Sequence, residues 1–69
     1  MQLEFLLVTF KENRTVKAND LQVGVTNHLM VMPPGDYIVT LDGQGFSPPT
    51  QDIELNGTSQ VRPMVVVFT

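Results

Sequence analysis

Pro33-Pro34-Gly35-Asp36-Tyr37-Ile38-Val39-Thr40-Leu41-Asp42-Gly43 holds a strand between two turns. Proline fixes φ and removes a backbone donor, and glycine permits positive φ, so Pro33 to Asp36 stops one segment and launches the next. From Asp36 to Asp42 the side chains alternate. Tyr37, Val39 and Leu41 share one face, and Asp36, Ile38, Thr40 and Asp42 share the other. Successive strand residues point to opposite faces, so the first set is expected in a core and the second at a surface. Asp42-Gly43-Gln44-Gly45 supplies the next turn.

The same spacing extends in both directions. Toward the C-terminus, Phe46-Ser47-Pro48-Pro49 is irregular and extended. Gln51 to Leu55 alternates, with Ile53 and Leu55 inward and Asp52 and Glu54 outward. Asn56-Gly57 has the form of a hairpin turn, since both residues tolerate positive φ. Val61 to Thr69 is the last strand and contains Met64-Val65-Val66-Val67-Phe68. Toward the N-terminus, Leu29 to Met32 and Leu21 to Val25 are strands, joined through a turn or bulge at Thr26-Asn27. Lys11 to Asp20 is polar and reads as a loop, with a short helix as the alternative; Leu3 to Phe10 is the first apolar run. No segment sustains a 3.6-residue period. Six to seven short strands in one domain, residues 1–69, point to an all-β fold: a small antiparallel β-sandwich, with a partly open barrel as the alternative.

Length and composition narrow the function. A chain of 69 residues buries only about 60% of the surface its unfolded form exposes, so small scaffolds usually add a staple. There is no cysteine, which excludes disulfides and thiolate zinc sites. Oligomerisation, close packing or a larger parent protein remain. The net charge is −3, and Lys11, Arg14, Lys17 and Arg62 are the only basic residues. Phosphate binding needs several cations converging on one face, so nucleic acid and anionic membranes are not expected partners. Met1-Gln2-Leu3-Glu4 is acidic where a secretory signal is basic, and Phe5 to Val8 is too short for a signal core or a membrane span. The chain is expected in the cytoplasm if Met1 is the native start, and in the cell envelope if it is a module of a longer protein.

The catalytic inventory is thin. Nucleophilic catalysis needs a nucleophile, a base and an orienting group. His28 is the only histidine, and Ser47 and Ser59, the only serines, sit in turn contexts. Asp36, Asp42, Asp52 and Glu54 read as solvated acids on strand faces or at strand ends rather than as a general acid–base pair. No catalytic residue, cofactor or small-molecule ligand is indicated, and the chain is not expected to be an enzyme. One soft-metal alternative exists. His28, Met30 and Met32 alternate, so on one strand they would share a face, and Met64 could join them. Imidazole and thioether ligands suit Cu(I), which would make the chain a small copper carrier; the competing role is methionine as core filler. Asn13-Arg14-Thr15 and Asn56-Gly57-Thr58 match the glycosylation sequon but read as turn residues. Phe46 is expected to pack rather than to form a binding loop.

From Met32 to Phe68 the chain runs Pro34-Gly35-Asp36-Tyr37-Ile38-Val39, then Gly45-Phe46, then Ile53-Glu54-Leu55, then an apolar closing strand. This half resembles PEGA-type and carboxypeptidase-regulatory-like, prealbumin-like modules. The first half lacks the Pro-x-Gly-Ala segment and the early second turn of PEGA modules. The resemblance implies a β-sandwich accessory module, commonly appended to larger proteins of the cell envelope, with no catalytic residue to carry over.

Two strands are apolar on both faces. In the first, Leu3, Phe5 and Leu7 lie on one side and Leu6, Val8 and Phe10 on the other. In the last, Val65 and Val67 oppose Met64, Val66 and Phe68. A strand covered on one side only should alternate with polar residues. Leu6, Val8, Phe10, Met64, Val66 and Phe68 are therefore the candidate interaction surface, and a protein partner or a second copy, most simply a homodimer, is expected to cover it.

Overall fold

The computed structural model describes residues 2–69, so Met1, on which the expected compartment turns, lies outside them. Seven strands form, and no helix among the described residues: β1 (Glu4–Thr9), β2 (Thr15–Ala18), β3 (Leu21–Val25), β4 (Leu29–Met32), β5 (Gly35–Leu41), β6 (Gln51–Leu55) and β7 (Met64–Val67). They divide into a three-stranded sheet, ordered β4-β1-β7, and a four-stranded sheet, ordered β3-β2-β5-β6. The two sheets pack face to face as a small all-β sandwich. No described helix is long and apolar enough to cross a membrane.

Alternation builds the core. Val39 and Leu41 of β5 and Leu55 of β6 point inward, while Ile38, Asp52 and Glu54 point out. They meet Leu6, Val8, Met30, Met32 and Val66 from the other sheet. Phe46 closes one end, edge-on to Phe10 with centroids 6.5 Å apart and to Phe68 at 5.8 Å. It is half-buried against the core, as expected. The radius of gyration, 11.1 Å, matches the ~11 Å of a packed domain of this length. Exposed apolar residues are therefore not a sign of incomplete collapse.

Three local features depart from the sequence expectations. Thr15–Ala18 is a strand, not part of a loop. Only Val16 and Ala18 face inward there, too little apolar signal to stand out. Asn19 and Asp20 both adopt positive φ, 52° and 68°, so β2 and β3 form a hairpin around a turn of the type Asn and Asp tolerate. Asn56-Gly57 makes no hairpin. Residues 56–63 carry the chain across to the other sheet, where β7 pairs with β1 in parallel, Leu7 beside Val65 and Val8 beside Val66. All other pairings are antiparallel.

Side-chain hydrogen bonds hold the crossings. Thr26 is fully buried at the β3–β4 corner. Its hydroxyl donates to the Glu12 carbonyl at 2.8 Å and accepts from the Arg14 N–H at 2.7 Å. Arg14 reaches across to the turn after β5, donating from one terminal nitrogen to the carbonyls of Asp42 and Gln44 at 3.0 and 2.9 Å. A Cβ on Gly43 would lie 2.8 Å from that nitrogen, so Gly43 serves both the positive φ of the turn and the approach of the guanidinium.

Candidate interaction face

Which face of β1 and β7 meets the second sheet decides where any docking surface lies. The structure corrects the expectation. Leu6, Val8, Phe10, Val66 and Phe68 are buried, and Met64 is half-buried against them. These six residues are the core side of the sheet, not a surface. The reason is the two-residue period: once Phe10 and Phe68 close on Phe46, every residue of like parity follows them inward.

The apolar excess therefore sits on the opposite face. β1 contributes Phe5, Leu7 and Thr9, β4 contributes Leu29 and Val31, and β7 contributes Val65 and Val67. The register sets them side by side. Phe5 lies beside Val31, Leu7 lies between Leu29 and Val65, and Thr9 lies beside Val67. Leu3, Leu29, Val31, Val65 and Val67 are 44%, 43%, 52%, 54% and 56% exposed. Complete burial of a Val or Leu side chain is worth ~1.5–3 kcal/mol, so covering the exposed half of these five would contribute roughly 4–7 kcal/mol.

No charged side chain belongs to that face. Glu4, the one acid on β1, points into the molecule and is 2% exposed. Its Oε1 accepts from the Thr58 N–H and the Thr58 hydroxyl, both at 2.8 Å. The same hydroxyl accepts from the Phe5 N–H at 2.7 Å. β7 pairs with β1 only from Leu6 onward, and Thr58 occupies the place beside β1 that β7 leaves empty.

The other sheet is built differently. Its outer face mixes charged and apolar residues: Lys17, Asp36, Asp52 and Glu54 stand among Thr15, Gln22 and Thr40, with Val25 and Ile38 also exposed. The two ion pairs among the described residues, Arg14–Glu12 at 2.6 Å and Lys17–Asp42 at 3.6 Å, also lie away from the three-stranded sheet's outer face. Asp36, Tyr37, Ile38, Asp52 and Glu54 line a shallow cleft of ≈ 510 Å³ on this side.

The remaining candidates take structural positions. Met30 and Met32 are core residues. Met30 Sδ packs so closely on Gly24 that a Cβ there would lie 2.5 Å away. Met64 and Met30 flank Leu6 from opposite neighbouring strands, with Leu6 between them. His28 is exposed in the turn before β4, its Nδ1 2.9 Å from the Thr26 carbonyl. The structure does not bring the His28, Met30, Met32 and Met64 set together at one accessible point. Ser59 Oγ accepts from the Arg62 N–H, and Ser47 exchanges backbone hydrogen bonds with Thr69.

Sequence reasoning missed Leu29 and Val31 as surface residues, and the bond between buried Glu4 and half-buried Thr58. The register across β4-β1-β7 would have revealed the first two. Nothing in the local sequence marks Glu4 as inward, because its partner lies 54 residues away. Compared with known proteins, the chain matches no family model, no curated protein and no solved structure.

Proposed function

We propose that this chain is a non-catalytic β-sandwich interaction module that docks through the outer face of β4-β1-β7. One observation carries the proposal: seven side chains on that face hold no charge and five are valine or leucine, while the other sheet's outer face sets its exposed Val25 and Ile38 among three acids and a lysine. A sheet face made to stand in water is expected to look like the second, not the first. An accessory module of the PEGA or prealbumin-like kind would use such a face to seat itself on a larger protein. The soft-metal alternative would require Met30 and Met32 to leave the core.

The test uses a dye that binds exposed apolar surface, 8-anilinonaphthalene-1-sulfonate, on natively folded protein. Wild type is expected to enhance its fluorescence. The double variant Val31→Lys/Val65→Lys is expected to abolish the enhancement while its urea midpoint stays within about 1 M of wild type. No enhancement in wild type, or a double variant that cannot fold, overturns the proposal.

A further inference from the structure

We infer that Asn56 is a site of spontaneous modification, where the side-chain amide is lost through a cyclic imide to leave aspartate or isoaspartate just before Thr58. The inference is independent of the docking face. It starts from the four asparagines, Asn13, Asn19, Asn27 and Asn56. Three of them are held. Asn13 Oδ1 accepts from the Asn27 side chain at 3.3 Å. Asn19 accepts from the Ile38 N–H at 2.8 Å and donates to the Asp36 carbonyl at 3.3 Å. Asn27 accepts from the Phe10 N–H at 3.2 Å and donates to the Glu12 carbonyl at 3.4 Å. Asn56 is exposed, and its side chain makes no hydrogen bond among the described residues.

Asn56 is also the only asparagine followed by glycine. Imide formation needs the next residue's backbone nitrogen to reach the asparagine Cγ, and a side chain on that residue obstructs the approach. Gly57 has none and turns freely. It stands exposed at φ 68°, with nothing within 4 Å of where a Cβ would lie. Its N–H makes no hydrogen bond among the described residues. After Asn13, by contrast, the Arg14 N–H is committed to the Thr26 hydroxyl at 2.7 Å. Asp42-Gly43, the one other pair open to this cyclisation, is fixed by Arg14 on the Asp42 carbonyl at 3.0 Å and by Lys17 at 3.6 Å from its carboxylate.

Water is the only co-reactant. Hydroxide takes the Gly57 amide proton, and the nitrogen attacks Asn56 Cγ. The bond from Cγ to the side-chain nitrogen breaks, and that nitrogen takes a proton from water and leaves as ammonia, regenerating hydroxide. Water then opens the ring. Cleavage at Cγ gives aspartate on a normal backbone, and cleavage at the backbone carbonyl gives isoaspartate, with one extra carbon in the main chain.

The position gives the second product a structural effect. The Thr58 N–H and hydroxyl both bond Glu4 Oε1 at 2.8 Å, and the hydroxyl accepts from the Phe5 N–H at 2.7 Å. An extra main-chain carbon two residues earlier shifts Thr58 against β1, and hydrogen bonds weaken steeply with such misalignment. Buried Glu4 then loses its partners. Isoaspartate at 56 therefore loosens the start of the crossover to β7.

The test incubates wild type in warm, mildly alkaline buffer for weeks. Cleavage after glutamate releases the Leu55–Thr69 segment for mass spectrometry, and an isoaspartate-specific methyltransferase marks the second product. Amide loss at Asn56 is expected at least about tenfold faster than at Asn13, Asn19 or Asn27. Asn56→Gln is expected to remove the fast component. The isoaspartate form, separated by ion exchange, is expected to unfold at a urea midpoint about 1 M or more below fresh protein, whereas Asn56→Asp, which adds the charge without the carbon, stays within about 0.5 M. Equal or faster loss at another asparagine, or a fast component that survives Asn56→Gln, overturns the assignment of the site. An isoaspartate form as stable as Asn56→Asp overturns the coupling to Thr58.

Discussion

Val65 and Val66 are neighbours on β7 with opposite fates, and placing a lysine at each isolates which face of the sheet is core. Val66 is 3% exposed beside Val8. Val66→Lys loses the ~1.5–3 kcal/mol of a buried valine. It also buries a charged amine with no partner, which costs several kcal/mol more. A domain of this length has roughly 3–10 kcal/mol of stability in total, so Val66→Lys is expected to leave no cooperative fold. Val65 is 54% exposed. Val65→Lys loses less than half of a valine's burial, about 1 kcal/mol. The lysine stem recovers part of this by lying along the apolar face while its amine reaches water. The net cost is expected near 0.5 kcal/mol, a urea midpoint shift of about 0.5 M at a slope near 1 kcal/mol/M. Urea titration followed by circular dichroism measures both variants. A Val65→Lys that unfolds, or a Val66→Lys that keeps a midpoint within about 0.5 M of wild type, refutes the assignment of faces.

Three further outcomes follow from single contacts. Thr58→Val removes the hydroxyl that joins the Phe5 N–H to Glu4. It is expected to cost ~1–3 kcal/mol by urea titration, more than Glu4→Gln, which keeps an acceptor for the Thr58 N–H. Arg14→Met is expected to cost ~1–2 kcal/mol and to speed amide exchange across the turn from Asp42 to Gly45. Arg14→Lys should restore only part of this, because one ammonium cannot reproduce the fork that bonds Glu12, Asp42 and Gln44. Gly24→Ala is expected to cost ~1–3 kcal/mol by overpacking on Met30. In a double-mutant cycle, Met30→Ala should cost less in the Gly24→Ala background than in wild type, and equal costs would place the strain elsewhere.

Much of the fold was legible because the two-residue period is a local property. Tyr37, Val39 and Leu41 against Ile38, and Leu55 against Asp52 and Glu54, were assigned by alternation alone and are found on those sides. The hairpin of β2 and β3 was not legible, since Val16 and Ala18 are too few apolar residues to distinguish a strand from a polar loop. The role of Asn56-Gly57 was misread for a related reason. A turn dipeptide reports that the chain bends, not which sheet it enters next. The site was half legible: both faces of β1 and β7 were recognised as apolar, and the wrong one was placed at the surface.

The amino-acid sequence by itself determined an all-β domain without cysteine, a clear set of inward residues on β5 and β6, and an apolar excess on the first and last strands. Only the tertiary structure decided which side that excess occupies. β1 carries apolar residues at both parities, so its own pattern is silent on direction. Direction came from distant partners: Phe46 closing on Phe10 and Phe68, and Thr58 holding Glu4 inside. With those contacts made, Leu6, Val8 and Val66 are core, and Leu7, Leu29, Val31, Val65 and Val67 form the outer face.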